Sequence, residues 1–206
     1  MKILIKNPEL LSLTDFIQKI DREGAVVLLE GKREVLDSDK PSLVAIGKLL
    51  TEKTTHIIFR SGNAEGADSY FSEGVASVNP DRMELIIPYA SHRKASNTYK
   101  SHALDEINMV METNVIYHSK QNNAAKGLVE QYVKGGNKRL AAKGAYLLRD
   151  TIKVTGTRSG IPPASFGIFY DDLRNPQSGG TGHTMKMCKQ NYVPFVDQKT
   201  WRKWLG

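Results

Sequence analysis

Cysteine is nearly absent from this chain. Cys188 is the only one in 206 residues, so no disulfide can form within the chain, and a reducing, cytoplasmic setting is the simplest expectation. Long apolar runs are missing as well. The opening MKILIKNPELLSL has neither the apolar core nor the small-residue cleavage site of a secretory leader, and AVVLLE is far too short to cross a bilayer, so no membrane partner is expected. Histidines are few and scattered, at His56, His92, His102, His118 and His183, and Cys188 falls in a helical pattern apart from them. That spacing offers no metal site, and no cofactor is required. Cys188 also lies five residues past His183, off its helical face, which argues against a catalytic dyad and for a buried helix thiol.

What the chain does have is an excess of positive charge, +7 in all, and it has one address. Between His118 and Arg158 stand Lys120, Lys126, Lys134, Lys138, Arg139, Lys143, Arg149, Lys153 and Arg158, against only Glu130 and Asp150, so this segment supplies the whole excess. It reads as two helices parted by Gly135-Gly136. Leu128, Val129, Tyr132 and Val133 form one apolar stripe, and Leu140, Ala141, Ala145, Leu147 and Leu148 the next. Lysines on the solvated face of a helical hairpin are the ordinary account. A nucleic-acid patch is the alternative, and interleaved exposed aromatics that would support it are lacking.

Continuous β-rich runs at Ala25–Leu29, His56–Phe59, Glu84–Ile87, Asn114–Tyr117, Phe166–Tyr170 and Val193–Val196 read as strands buried on both faces. Helical patterns fall between them at Pro41–Glu52, Ala64–Ala76, Ser101–Met111 and Thr184–Gln190. The alternation predicts a Rossmann-like α/β domain, three layers deep around a mostly parallel sheet, with residues 1–206 forming a single domain. The closing TWRKWLG reads as a turn whose Trp201 and Trp204 close the core.

In such sheets chemistry gathers where strands end and turn into helices. Three of those turns here combine glycine with groups that suit an anion: Gly31, Lys32 and Arg33 in GKRE; Ser61, Gly62, Gly66 and Asp68 in SGNAEGAD; and Gly179, Gly180, Thr181, Gly182, His183 and Thr184 in SGGTGHT. All three are expected on one rim, as one pocket. Asp68 fits an anchor for its own loop as well as it fits a ligand contact. His183 could donate to a phosphate or bond a carbonyl, and contact with the ligand is the favoured reading.

RSGNAEGAD after an early strand and GGTGHTMKMCKQNYVP after a late one resemble the SLOG superfamily, a Rossmann-like group that includes DprA-like DNA-processing proteins, YpsA-like proteins and Lonely Guy phosphoribohydrolases. The likeness runs over roughly Ala25–Val196, with the basic segment, about 119–153, as a helical insertion. It implies a nucleotide or nucleotide-derived ligand, such as a nucleoside monophosphate, ADP-ribose or NAD, held by its phosphate in the glycine-rich turns. The phosphoribohydrolase motif P-G-G-x-G-T-x-x-E, laid on Gly179, Gly180 and Gly182, puts Lys186 where a catalytic glutamate belongs, and a cation cannot do that work. Binding or sensing of the ligand is therefore the leading function. Nucleotide N-glycoside hydrolysis or transfer, by Asp171, Asp172, Glu65 or Asp68, and DprA-like single-stranded nucleic-acid binding are the alternatives. Catalysis, base identity and homo-oligomerisation stay open.

Overall fold

In the computed structural model, which describes residues 5–93, 98–121, 123–135 and 138–206 without the side chains of 123 and 124, five of the six β-rich runs fall in a single sheet of six strands. They are β1 (Val26–Gly31), β2 (Ile58–Ser61), β3 (Met83–Ile87), β4 (Lys100–Ala103), β5 (Phe166–Tyr170) and β6 (Phe195–Val196). Their order is β4-β3-β2-β1-β5-β6, and every pairing is parallel. The chain winds outward from β1 to β4 and then returns to build β5 and β6 on the other side. Strand order thus reverses between β1 and β5, where Glu30 pairs with Phe169 and Gly31 with Tyr170.

Helices cover both faces. The described ones are α1 (Leu13–Ile20), α2 (Lys40–Lys53), α3 (Ala67–Ala76), α4 (Thr113–Lys120), α5 (Asn123–Val133), α6 (Lys138–Thr155), α7 (Gly179–Gln190) and α8 (Gln198–Trp201). Alternation along each strand divides the core. Val27, Leu29, Phe59 and Ile168 pack on Phe16 of α1, Ile46 of α2, Phe71 of α3 and the closing tryptophans. On the other face Ile86 meets Val115 of α4, Val129 of α5 and Leu148 and Ile152 of α6, while Leu28 and Phe169 meet Val154, Met185 and Cys188. This is the three-layer α/β architecture. Trp201 and Trp204 do close it: their indole N–H groups donate to the carbonyls of Phe169 at 2.9 Å and Leu11 at 2.8 Å.

Three sequence expectations need correction, and one helix was missed. Asn114–Tyr117 is not a strand but part of α4; a short apolar run is compatible with either state, and here Val115 and Ile116 pack as a helical face against α6. Ser101–Met111 is not a helix: Lys100–Ala103 form the edge strand β4, whose outward polar residues lack an apolar run, and a 3-10 turn follows at Leu104–Glu106. Helix α1, opened by Ser12 accepting from the Asp15 amide at 3.1 Å, went unforeseen. Helix α7 starts five residues before the expected Thr184, inside the glycine-rich stretch. The two basic-segment helices are present as α5 and α6; of the dividing glycines, Gly136 lies outside the described residues. Among the described residues no helix is long and apolar enough to cross a membrane.

Candidate functional site

The three glycine-bearing turns follow β1, β2 and β5, so parallel pairing places them at the same end of the sheet, over the point where strand order reverses. A cleft of about 820 Å³ opens there. Of the residues singled out from sequence, Gly31, Lys32, Arg33, Asp68, Gly179, Gly180 and Thr181 line it. Ser61, Gly62 and Gly66 lie in the turn that supports it. Gly182, His183 and Thr184 do not line it; they are buried farther along α7.

Asp68, in the first turn of α3, is the anchor of the first two turns. One carboxylate oxygen accepts from the Gly31 amide at 3.0 Å; the other accepts from the Ser61 hydroxyl at 3.0 Å and the Gly62 and Ala64 amides at 3.3 Å each. All these donors belong to the protein, which makes Asp68 a positioning residue. Gly66 is the hinge of the same turn: its φ is +84°, and a Cβ there would overlap the Arg33 carbonyl, so the close approach of the β1 and β2 turns requires glycine.

SGGTGHT is a helix start rather than a free loop. Ser178 stands at the N-cap without a side-chain cap bond, and the Gly182 amide already reaches the Ser178 carbonyl at 3.1 Å. Glycine and threonine have weak helix propensity, which hid this start; tight packing overrides it, since a Cβ on Gly182 would overlap the Gln177 carbonyl. The amides of Gly179, Gly180 and Thr181 occupy the first turn, where a helix has no internal acceptors for them. Lys32 lies against that end: its ammonium donates to the Ser178 carbonyl at 2.9 Å and hydroxyl at 2.6 Å. A cation and the positive end of a helix dipole therefore share one wall of the cleft, an arrangement that favours an anion between them.

The floor comes from residues the sequence reading missed as site residues. Lys153 of α6, its side chain 2% exposed, bridges Glu30 Oε2 at 2.7 Å and Asp150 Oδ1 at 2.8 Å. Arg149 also binds Asp150, at 2.7 Å, and donates to the Gly62 carbonyl at 3.2 Å. Burial pushes the Glu30 carboxyl up to about 7, with Lys153 opposing and the Asp68 and Asp150 charges reinforcing. Asp150 suffers the same burial, yet Arg149 and Lys153 hold it down at about 2. Arg149 and Lys153 are thus not on the solvated face expected for the basic segment, although Lys126, Lys134, Lys138, Arg139 and Lys143 are exposed. The signal was faint: Glu30 merely ended an apolar run, and Arg149 and Lys153 looked like ordinary helix charges one turn apart.

His183 is 7% exposed and packs between α7 and α6. Burial lowers its pKa, with Asp150 pulling the other way; the Leu147 carbonyl stands near, outside good hydrogen-bond geometry. Burial likewise pushes the Cys188 thiol well up. Lys186 is exposed and does not line the cleft. The alternative carboxylates mostly have structural work: Asp172 accepts from the Arg174 amide at 2.9 Å, Asp171 from the Gln177 amide at 2.7 Å, and Glu65 pairs with Arg93 at 3.1 Å. Among the described residues no group of three or more histidine, cysteine or acidic side chains could hold a metal ion.

No protein-family model matches this chain, and no curated protein matches it. Among solved structures it is similar to DNA processing protein A from Helicobacter pylori, a structure described for its single-stranded DNA binding mode. The identity is 13%, the match covers 91% of this chain and 69% of that one, and the TM-score is 0.48. A likeness of that degree leaves the chemistry of the cleft to be argued from its own residues.

Proposed function

We propose that the cleft binds a nucleotide or nucleotide-derived ligand by its phosphate. One observation carries the reading: the uncapped amino end of α7 and the Lys32 ammonium meet on the wall of a cleft whose size suits a small organic ligand. Arg33 and Arg174 add exposed cations at the rim, and the partly exposed Leu36 and Leu173 supply apolar surface on which a base can rest.

Single-stranded nucleic acid is the second reading, favoured by a cluster the sequence did not suggest. Beyond β3 the ring of Tyr89, 43% exposed, stands edge-on to His92 at 5.2 Å, and His92 to Tyr146 at 6.1 Å, with the Arg149 guanidinium over Tyr146. Of these rings Tyr89 is exposed and can stack on a base, while the buried His92 supports it. Calorimetric titration with AMP, ADP-ribose, NAD and a single-stranded oligonucleotide, on the wild type and Lys32→Gln, tests both. A nucleotide should bind, and Lys32→Gln should weaken it by about tenfold or more. Binding of the oligonucleotide alone would favour the second reading, and no binding by any of the four would refute both.

A further inference from the structure

Two carboxylates that line the cleft each hold a buried oxygen with no hydrogen-bond partner among the described residues. Glu30 is 3% exposed and gives Oε2 to Lys153, while its Oε1 is buried and meets no donor among the described residues. Asp171, 4% exposed, gives Oδ2 to the Gln177 amide, and its Oδ1 is likewise unmet. The other buried carboxylates of the site are occupied, Asp68 by three amides and a hydroxyl, Asp150 by Arg149 and Lys153. A buried polar atom without a partner is costly, so two of them lining one cleft mark places where a ligand can supply donors.

Their position narrows the chemistry. Glu30 sits on β1 and Asp171 just beyond β5, on the two sides of the strand-order reversal. Because Glu30 pairs with Phe169, strand geometry puts the two Cα atoms about 8 Å apart. Side chains from two such positions can close on adjacent groups of one small molecule. The phosphate wall is close by: Asp150, which shares Lys153 with Glu30, has its other oxygen 3.7 Å from where a Cβ on Gly180 would stand. The Glu30 carboxyl, pushed up to about 7, is protonated part of the time near neutral pH. A hydroxyl suits it in both states, since it can donate to the ionised form and accept from the protonated one; an ammonium suits only the first.

We infer that Glu30 and Asp171 form a hydroxyl-binding subsite, which takes the sugar hydroxyls of the molecule whose phosphate lies at α7. The inference rests on the phosphate reading above and specifies its ligand as a sugar phosphate with free hydroxyls, such as a ribonucleotide.

The test compares AMP, 2′,3′-dideoxy-AMP and inorganic phosphate by calorimetry on wild type, Glu30→Met and Glu30→Gln, with thermal melts confirming that each variant is folded. Wild type should prefer AMP over the dideoxy compound by about tenfold or more. Glu30→Met should bring that ratio close to one, whatever it does to the affinity for phosphate itself. Glu30→Gln, which keeps an oxygen in place, should retain part of the preference. Equal affinities in wild type, or an undiminished ratio in Glu30→Met, would overturn the subsite and leave the phosphate reading standing. Failure of all three compounds to bind wild type would overturn both.

Discussion

Lys153→Met removes the central cation of the cleft floor and leaves most of the aliphatic volume in place. In the wild type Glu30, Asp68 and Asp150 face Arg149 and Lys153, so the ionised cluster carries one excess negative charge; without Lys153 it carries two. Breaking a buried pair of this kind costs roughly 3–5 kcal/mol. Part of that cost is relieved when Glu30 takes a proton, because a buried carboxyl with no cation neutralises rather than stay charged. The pH dependence has a definite sign. In the folded wild type Glu30 is raised from its ordinary 4.5 to about 7, so the folded state holds a proton that the unfolded state has released, and stability falls as pH rises from about 4.5 to 7. That fall ends near 7 in the wild type. In the variant, without the opposing Lys153 charge, Glu30 stays protonated to higher pH and the fall continues. The cost of the substitution should therefore grow above pH 7, by up to about 1.4 kcal/mol per pH unit. Urea denaturation between about pH 6 and 9, on wild type, Lys153→Met and Lys153→Met/Glu30→Gln, measures this. The double variant should show no added loss above pH 7. A cost below about 1 kcal/mol, or one that stays flat across that range, would refute the account of a desolvated, mutually dependent floor.

The glycines of α7 should separate by role. Gly182→Ala, whose Cβ would overlap the Gln177 carbonyl, should cost about 3 kcal/mol or more in denaturant melts, whereas Gly180→Ala, whose Cβ would meet Asp150 only at 3.7 Å, should fold within about 1 kcal/mol of wild type. If the phosphate lies on the first α7 amides, the same Gly180→Ala protein should nevertheless bind AMP about tenfold or more weakly in calorimetric titration. Cys188 is fully buried with its thiol pushed up, so a thiol reagent should modify it slowly in the folded protein and at once in denaturant; prompt labelling without denaturant would contradict its packing.

The parallel sheet was legible because β1, β2, β3 and β5 fall on short apolar runs, Val26–Leu29, Ile57–Phe59, Leu85–Ile87 and Phe166–Tyr170, which suit strands buried on both faces; the buried charges Glu30, Arg60 and Glu84 that follow or interrupt those runs left no such mark. β4 escaped for the opposite reason: at the sheet edge only Ala103 is buried, and Lys100 and Ser101 carry no pattern. The rim was legible through its glycines, since a turn that brings the Arg33 carbonyl against Gly66 leaves a mark in the sequence. The floor was not. Glu30, Arg149, Asp150 and Lys153 come from β1 and from α6, more than a hundred residues later, and what defines them is mutual proximity in a dry place, which neither spacing nor composition records. His183 shows the converse: small neighbours made it look exposed to a ligand, yet those neighbours are small because α7 packs tightly there.

Helix α6 belongs to the segment read as an addition to the sheet, yet it delivers three of the four floor charges and, through Leu148 and Ile152, covers the sheet at Ile86. A chain that lacked only α5 and α6 would keep the turns that form the rim. It would leave Glu30, Arg60 and Glu84 on a bare surface, with Arg60 deprived of the Lys153 carbonyl it now holds at 2.9 Å. The hairpin is thus a wall of the vessel. Loss of the hairpin would cost the protein its lining and one side of its core together, and a shorter relative that lacked it would need other residues to build a pocket at the same strand ends.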